Sequence, residues 1–332
     1  MASLLTIILS GVGVLCVGAV LTAYIYIKNP IFTPITYTSP TVQASKDRLY
    51  QHVDFLTDIQ PARSFDNPQS LDTAANYIAF QLEKCKKATV TRQYFEVKGK
   101  KFQNIIAIFG DTATTAQRIV IGSHYDVCGD QAGADDNGSA VAALLEIATL
   151  LEQNTQPLPY TIELVAYSLE EPPNFRTSNM GSYVHAKSLK DKGINVKLMI
   201  CLEMLGYFSD APNSQEYPVG FLKAVYPTVG NFIGVVGNFK DRSLVKQVKK
   251  GLLKHSKVPV ESINAPESLR GIDFSDHQSY WKMGYPALMI TDTAFFRNPN
   301  YHQTTDTIDT LDFVRMAEVV TGLYASLWEI GE

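Results

Sequence analysis

The side chains best able to bind a cation or move a proton sit in one recurring place, just after an apolar run. A run ending at 123 leads into His124-Tyr125-Asp126, one over 160–168 into Glu170-Glu171, and one over 197–202 into Glu203. The loop after a run at 286–291 carries Tyr301-His302, and Gly133-Ala134-Asp135-Asp136-Asn137 precedes an Ala- and Leu-rich segment. Each feature alone has an ordinary structural reading. A single His at a strand end is usually hydrogen-bonded scaffolding, Asp-Asp-Asn before a helix is usually an N-cap, and a Glu-Glu pair is usually solvated. Those readings lose force when the features recur at the ends of successive runs. Two histidines with several carboxylates match the nitrogen and oxygen ligand set of zinc. A bridging carboxylate can hold two ions about 3.5–4 Å apart around one water. His-x-Asp supplies an acid able to orient the imidazole of His124, and adjacent glutamates let one bind metal while the other takes a proton.

Such residues need a scaffold that gathers them at one edge. Leu49, Val53 and Leu56, then Leu71, Ala75, Ile78 and Leu82, recur at helical spacing and predict helices over 46–58 and 70–86. Runs at 88–97, 103–109, 117–123, 160–168, 197–202 and 286–291 predict strands. Further helices are predicted over 137–153, near 181–191, near 242–255 and over 311–329. Strands alternate with helices, and several strands are continuously apolar. That pattern predicts an α/β fold of three layers, a largely parallel central mixed sheet with helices on both faces. Such sheets take ligands just beyond the carboxyl ends of their strands, which is where these acids and histidines fall.

The chain has 332 residues, 45% hydrophobic and 19% charged, with a formal net charge of −4. It has no basic excess to neutralise a phosphate backbone, so a nucleic-acid partner is not expected. Cys16, Cys85, Cys128 and Cys201 form no CxxC pair and are too sparse for a disulfide scaffold. Leu4 to Ile27 carries no charge and is followed by Lys28-Asn29-Pro30. It is long enough to cross a hydrocarbon core of about 30 Å, and Tyr24 and Tyr26 sit where rings favour the headgroup level. Residues 1–29 are therefore expected to be a single-pass membrane anchor. A cleaved signal peptide and a buried core helix are the alternatives, each disfavoured by the uncharged length. Pro30 to Ala44 holds three prolines with Thr and Ser and reads as an extended stalk. The folded domain then spans 45–332, and its expected position outside the cytoplasm follows from the function argued next.

The stretches GSHYDV (122–127), GADDNGSAVAALLEIA (133–148), SLEE (168–171), LEMLGY (202–207), SDH (275–277) and NYHQTTDTIDTL (300–311) resemble, in order, the motifs of the co-catalytic two-zinc exopeptidases. That family includes bacterial leucyl aminopeptidase and glutamate carboxypeptidase. The resemblance implies two zinc ions per chain, one on His124 and Glu203 and the other on Glu171 and His302, bridged by Asp136. It implies hydrolysis of a peptide substrate by a zinc-bridged water, with Glu170 as general base, Asp126 orienting His124 and Tyr301 steadying the oxyanion. Met204, Asp276 and His277 fall where relatives line the substrate pocket. Two departures are visible. Position 203 is Glu where many such aminopeptidases have Asp, and the loop PPNFRTSNMGS (172–182), with Asn174 and Arg176 as candidate substrate contacts, is not Gln-Gly-rich. An aminopeptidase is the expected activity. The rivals are a glutaminyl cyclase-like acyltransferase, which keeps the fold with one zinc, and a non-catalytic ectodomain that has lost its ligands. The motifs fix neither the side-chain preference nor an oligomeric state.

Overall fold

The computed structural model describes residues 17–330. Eight strands form one sheet: β1 (Ala88–Val97), β2 (Lys100–Phe109), β3 (Arg118–His124), β4 (Thr161–Tyr167), β5 (Val196–Glu203), β6 (Ile233–Gly237), β7 (Val260–Asn264) and β8 (Ala287–Thr291). The helices are α1 (17–28), α2 (Lys46–Thr57), α3 (Pro68–Glu83), α4 (Ala140–Gln153), α5 (Gly181–Asp191), α6 (Arg242–His255), α7 (His277–Lys282) and α8 (Phe313–Ser326). The strand order is β1-β2-β4-β3-β5-β8-β6-β7. β4, β3, β5 and β8 run parallel to one another, as do β6 and β7, while β1, β2 and the β8–β6 junction pair antiparallel.

Alternation along the strands builds both faces. Ile119 and Ile121 of β3, with Leu198, Ile200 and Leu202 of β5, join the large core under α2, α3, α4, α6 and α8. Val120, Met199 and Cys201 point the other way, against a smaller core that includes Ala186 of α5 and Tyr280 of α7. Every residue of β3 and β4 is buried, which explains why their sequences read as unbroken apolar runs. α4 is Ala- and Leu-rich, a strong helix former that packs small residues close to the sheet. Asp312 starts α8 by accepting from the Val314 and Arg315 backbone N–H groups at 3.1 and 3.0 Å. The short β6, β7 and α7 carry no periodic signal long enough to be read from sequence.

Much of the expected membrane span, residues 1–16, lies outside the described residues. Among those described, no helix is long and apolar enough to cross a membrane. The end of α1 is fastened to the sheet edge. Asn264 Nδ2 donates to the Tyr26 carbonyl at 3.0 Å, and Ser262 Oγ donates to the Lys28 carbonyl at 2.9 Å. Residues 30–44 hold no helix or strand and run over the ends of α6 and α8. Thr38 N–H donates to the Lys254 carbonyl at 2.7 Å, and Ala44 N–H to Thr321 Oγ1 at 2.9 Å.

Candidate metal centre

The carboxyl ends of β3, β4 and β5 and the loop after β8 meet at one point. His124, the last residue of β3, has Nε2 3.3 Å from Glu203 Oε2 and 3.6 Å from Asp136 Oδ1. His302 Nε2 lies 3.2 Å from Asp136 Oδ2 and 3.2 Å from Glu171 Oε1. Asp136 thus turns one oxygen toward each histidine. Glu170 Oε2 stands 3.9 Å from His124 Nε2, beside this array. The backbone bends hard to aim these groups inward. Leu169, Met204 and His302 hold φ of 64°, 47° and 57°, a region that costs a side-chain-bearing residue on the order of 1–2 kcal/mol.

The cluster is strongly anionic. Among the described residues, no Lys or Arg pairs with Asp126, Asp136, Glu170, Glu171 or Glu203 within 4 Å. Burial alone would push both imidazoles down. Glu203 and Glu170 instead hold His124 well above its ordinary value, and Asp136 and Glu171 raise His302 to about 10. Burial, with Glu171 and Glu203 adding to it against His124, raises Glu170 well above the carboxylate range. Glu171 rises to about 8 through burial and Asp136. The carboxylates thus raise both imidazoles, and no Lys or Arg within 4 Å offsets their charge. Even so, Asp136 Oδ2 and His302 Nε2 have no hydrogen-bond partner. An orphaned buried polar atom costs about 1–3 kcal/mol. Donors of this type, buried, converging and short of positive charge, fit zinc.

Several supporting residues are not singled out by the sequence, although Asp306, Asn137 and Ser275 lie within the motif stretches. Asp306 accepts the backbone N–H groups of Asp135 and Asp136 at 3.0 Å each. Arg63 is buried and donates to the carbonyls of Leu56, Tyr125, Ala132 and Gly133, which shape the loop under Asp136. Asn137 Nδ2 donates to the Leu202 carbonyl at 3.1 Å and to Glu203 Oε2 at 3.3 Å, and Ser275 Oγ donates to Glu203 Oε2 at 2.7 Å. For Asp306 the available signal is its place in the same stretch as His302. Arg63 has none.

The remaining motif residues fall as follows. His124 Nδ1 donates to the backbone carbonyl of Asp126 at 3.1 Å, so the ring is oriented by that residue's main chain. The Asp126 carboxylate lies 3.5 Å from the ring and accepts instead the backbone N–H groups of Glu170 and Glu171, at 3.0 Å each. Tyr301 stacks on His302 with ring centroids 3.8 Å apart, and burial among the carboxylates keeps its phenol protonated. Met204, Asp276 and His277 are fully buried and stand apart from the lining of the neighbouring cavity. Asp276 and His277 start α7, which packs onto α5 and β5, so their side chains turn into the protein. His277 Nε2 bonds the Ile272 carbonyl at 2.7 Å. Arg176 braces its loop by pairing with Asp273 and lying over the Phe274 ring, while Asn174 is buried beneath it.

A mostly apolar cavity adjoins the cluster, with Glu203 and Tyr301 in its wall. Phe232, Phe274, Phe295 and Phe296 supply much of the rest. Phe295 packs on Phe274, Phe296 and Tyr301 with centroids 5.7, 4.4 and 5.3 Å away.

Known proteins of similar sequence and shape accord with this geometry. Residues 104–325 match peptidase family M28. The protein YfbL of Escherichia coli strain K12, described as uncharacterized, is 45% identical over 294 residues, 86% of this chain and 88% of that protein. Leucine aminopeptidase 1 of Metarhizium robertsii is 29% identical over 254 residues, 73% of this chain and 58% of that protein. LapA aminopeptidase of Legionella pneumophila shares the fold with a TM-score of 0.69 at 23% identity, over 87% of this chain and 73% of its own. Glutaminyl cyclase of Porphyromonas gingivalis does so at 0.62 and 22% identity, over 86% and 98%. The family match spans every residue of the cluster, and the chain belongs to peptidase family M28, a metal-dependent peptidase by that membership.

Proposed function

We propose that the chain is a zinc aminopeptidase that releases an N-terminal residue bearing a large apolar side chain. The observation that carries this reading is the placement of Asp136, with one carboxylate oxygen facing each of two histidines. His124 and Glu203 would hold one zinc ion, Glu171 and His302 the other, and Asp136 would join them. Bound there, zinc supplies Lewis acidity that lowers the pKa of water and polarises a peptide carbonyl. Glu170 lies beside the shared region and is fixed through its backbone by Asp126. It is placed to take the proton of the attacking water and return it to the departing amine. The Tyr301 phenol donates to the developing oxyanion. The phenylalanine-lined cavity takes the side chain of the released residue and excludes water from it.

The leucine aminopeptidase relatives favour a free amino terminus over a free carboxyl terminus. The test is a screen of dipeptides with free and acetylated N-termini, with and without chelator. The expected result is release of the first residue from free Leu- and Phe-headed dipeptides, lost on acetylation and on chelation. Chelator-insensitive cleavage, or cleavage confined to acetylated peptides, would overturn it. A glutaminyl cyclase-like acyl transfer is the second reading, favoured by the near-complete coverage of the Porphyromonas gingivalis enzyme. Cyclisation of N-terminal Gln by a protein holding one zinc ion would establish that reading instead.

A further inference from the structure

Cys128 stands four residues after His124 and is part-exposed. Its sequence surroundings, without a CxxC pair, give it no role. In the fold its Sγ, a Glu171 oxygen and a His302 ring nitrogen all lie within 4.8 Å of one another. The other two described cysteines are buried and bonded elsewhere: Cys85 Sγ to the Ala148 carbonyl, and Cys201 Sγ to Ser275 Oγ at 3.1 Å. A second observation points to the same spot. Asp136 Oδ2 is buried without a hydrogen bond, 3.2 Å from His302 Nε2. Cys128 Sγ thus gathers with a Glu171 oxygen and the His302 nitrogen, and Asp136 Oδ2 approaches that same nitrogen.

We propose that Cys128 is a thiolate ligand of the metal ion held by Glu171, His302 and Asp136, making that half of the centre a four-ligand N, O, O, S site. The proposal rests on the two-ion reading and deepens it. Ligation forms one sulfur–metal bond and releases the thiol proton to solvent; nothing is oxidised or reduced. A sulfur donor makes the two halves unlike. The His124–Glu203 half keeps only nitrogen and oxygen donors, and the His302 half gains preference for softer ions. With one protein donor more than the other, the His302 half is cast by the proposal as the more firmly held ion.

The experiment is cobalt substitution of the full-length protein, followed by absorption spectroscopy and metal counting. The wild type should bind two cobalt ions and show a near-ultraviolet thiolate-to-cobalt charge-transfer band. Cys128→Ser should lose the band, and its tighter ion should weaken at least about tenfold against a competing chelator, within the range seen when metal-site partners are removed. On the unmutated protein, zinc should block alkylation of Cys128, located by peptide mapping. Two ions without the band, or a band that survives in Cys128→Ser, would overturn the proposal while leaving the two-ion reading intact. A single bound ion would overturn the two-ion reading; the band would then still decide whether Cys128 binds it. Alkylation of Cys128 at the same rate with and without zinc would overturn the proposal even if the variant failed to fold.

Discussion

Two buried polar clusters are strung on the same pair of strands, and they are built to opposite ends. One is the metal centre at the carboxyl ends of β3 and β4. The other begins at Arg118, the first residue of β3. Arg118 Nη1 donates to Glu163 Oε2 at 2.6 Å, and His185 Nε2 meets Glu163 Oε1 at 2.9 Å. His185 Nδ1 then meets the Tyr280 hydroxyl at 2.7 Å, which meets that of Tyr167 at 2.7 Å. Both clusters are buried, and both combine histidine with carboxylate. The second has a resident cation and gives a partner to each oxygen of Glu163 and each nitrogen of His185. Against burial, His185 and Arg118 hold Glu163 below its usual range. The first has no resident cation, leaves Asp136 Oδ2 and His302 Nε2 unpartnered, and has Glu170 and Glu171 pushed upward. The second cluster leaves Arg118 Nε without a partner, but none of its carboxylate or imidazole atoms. Residue type and burial do not separate scaffold from metal centre; the partnering of the carboxylates and imidazoles does.

The contrast can be broken at its most consequential point by Glu170→Gln. Peptidase activity should fall by about two to four orders of magnitude, the range for losing a general base, with metal content unchanged by elemental analysis. An active, fully loaded variant would remove Glu170 from the chemistry. The opposite cluster answers in stability. Glu163→Ala strands Arg118 and His185 in the interior and should cost about 3–5 kcal/mol in denaturant unfolding. Its metal content should stay at the wild-type value; loss of metal would mean that the two clusters are not independent. Chelation should act only on the first cluster. With free metal at about a thousandfold above Kd, removing an ion costs about 4 kcal/mol of folding stability, read as a fall in Tm. An unchanged Tm on full metal removal would contradict a cluster that needs cations.

A third buried histidine sharpens the scale at its small end. His52 meets the Tyr77 hydroxyl at 2.7 Å. Burial, then Lys84 and Arg48, lowers its pKa to about 4. An unfolded His titrates near 6.5, so below that pH the unfolded chain binds the extra proton. Stability should therefore fall as pH drops from about 6.5 to 4, by on the order of 3 kcal/mol for this group. His52→Gln should remove that part of the decline in paired denaturation curves at pH 7 and 4.5. Equal declines in both proteins would dismiss His52 as its source.

His124, Glu171 and Glu203 were legible because each lies at or just past the end of a strand, so apolar runs and acid–histidine punctuation share one short window. Asp136 and His302 stand well beyond β3 and β8 and were legible through the stretches that hold them. The helix over 137–153 starts three residues later than its spacing suggests, at Ala140, because Asp136 and Asn137 leave helical geometry to serve the cluster. Asp126 shows a different limit. Whether His124 uses its carbonyl or its carboxylate is decided by Glu170 and Glu171, whose N–H groups claim the carboxylate from a strand away. Arg63 acts on four backbone carbonyls, targets that every residue carries, so no spacing could announce it. β6 and β7, five residues each, and α7, six, are too short for a periodicity to emerge.

The strand order has a consequence for the order of events at the ribosome. β8 comes last in the sequence yet lies between β5 and β6. Until residue 291 has been made, β5 and β6 each lack the neighbour that β8 supplies, and an unpaired strand edge is sticky toward other chains. His302 and Asp306 arrive later still, one facing Asp136 and the other clamping the backbone of Asp135 and Asp136. A nascent chain therefore cannot bring this cluster together before residue 306 has been made.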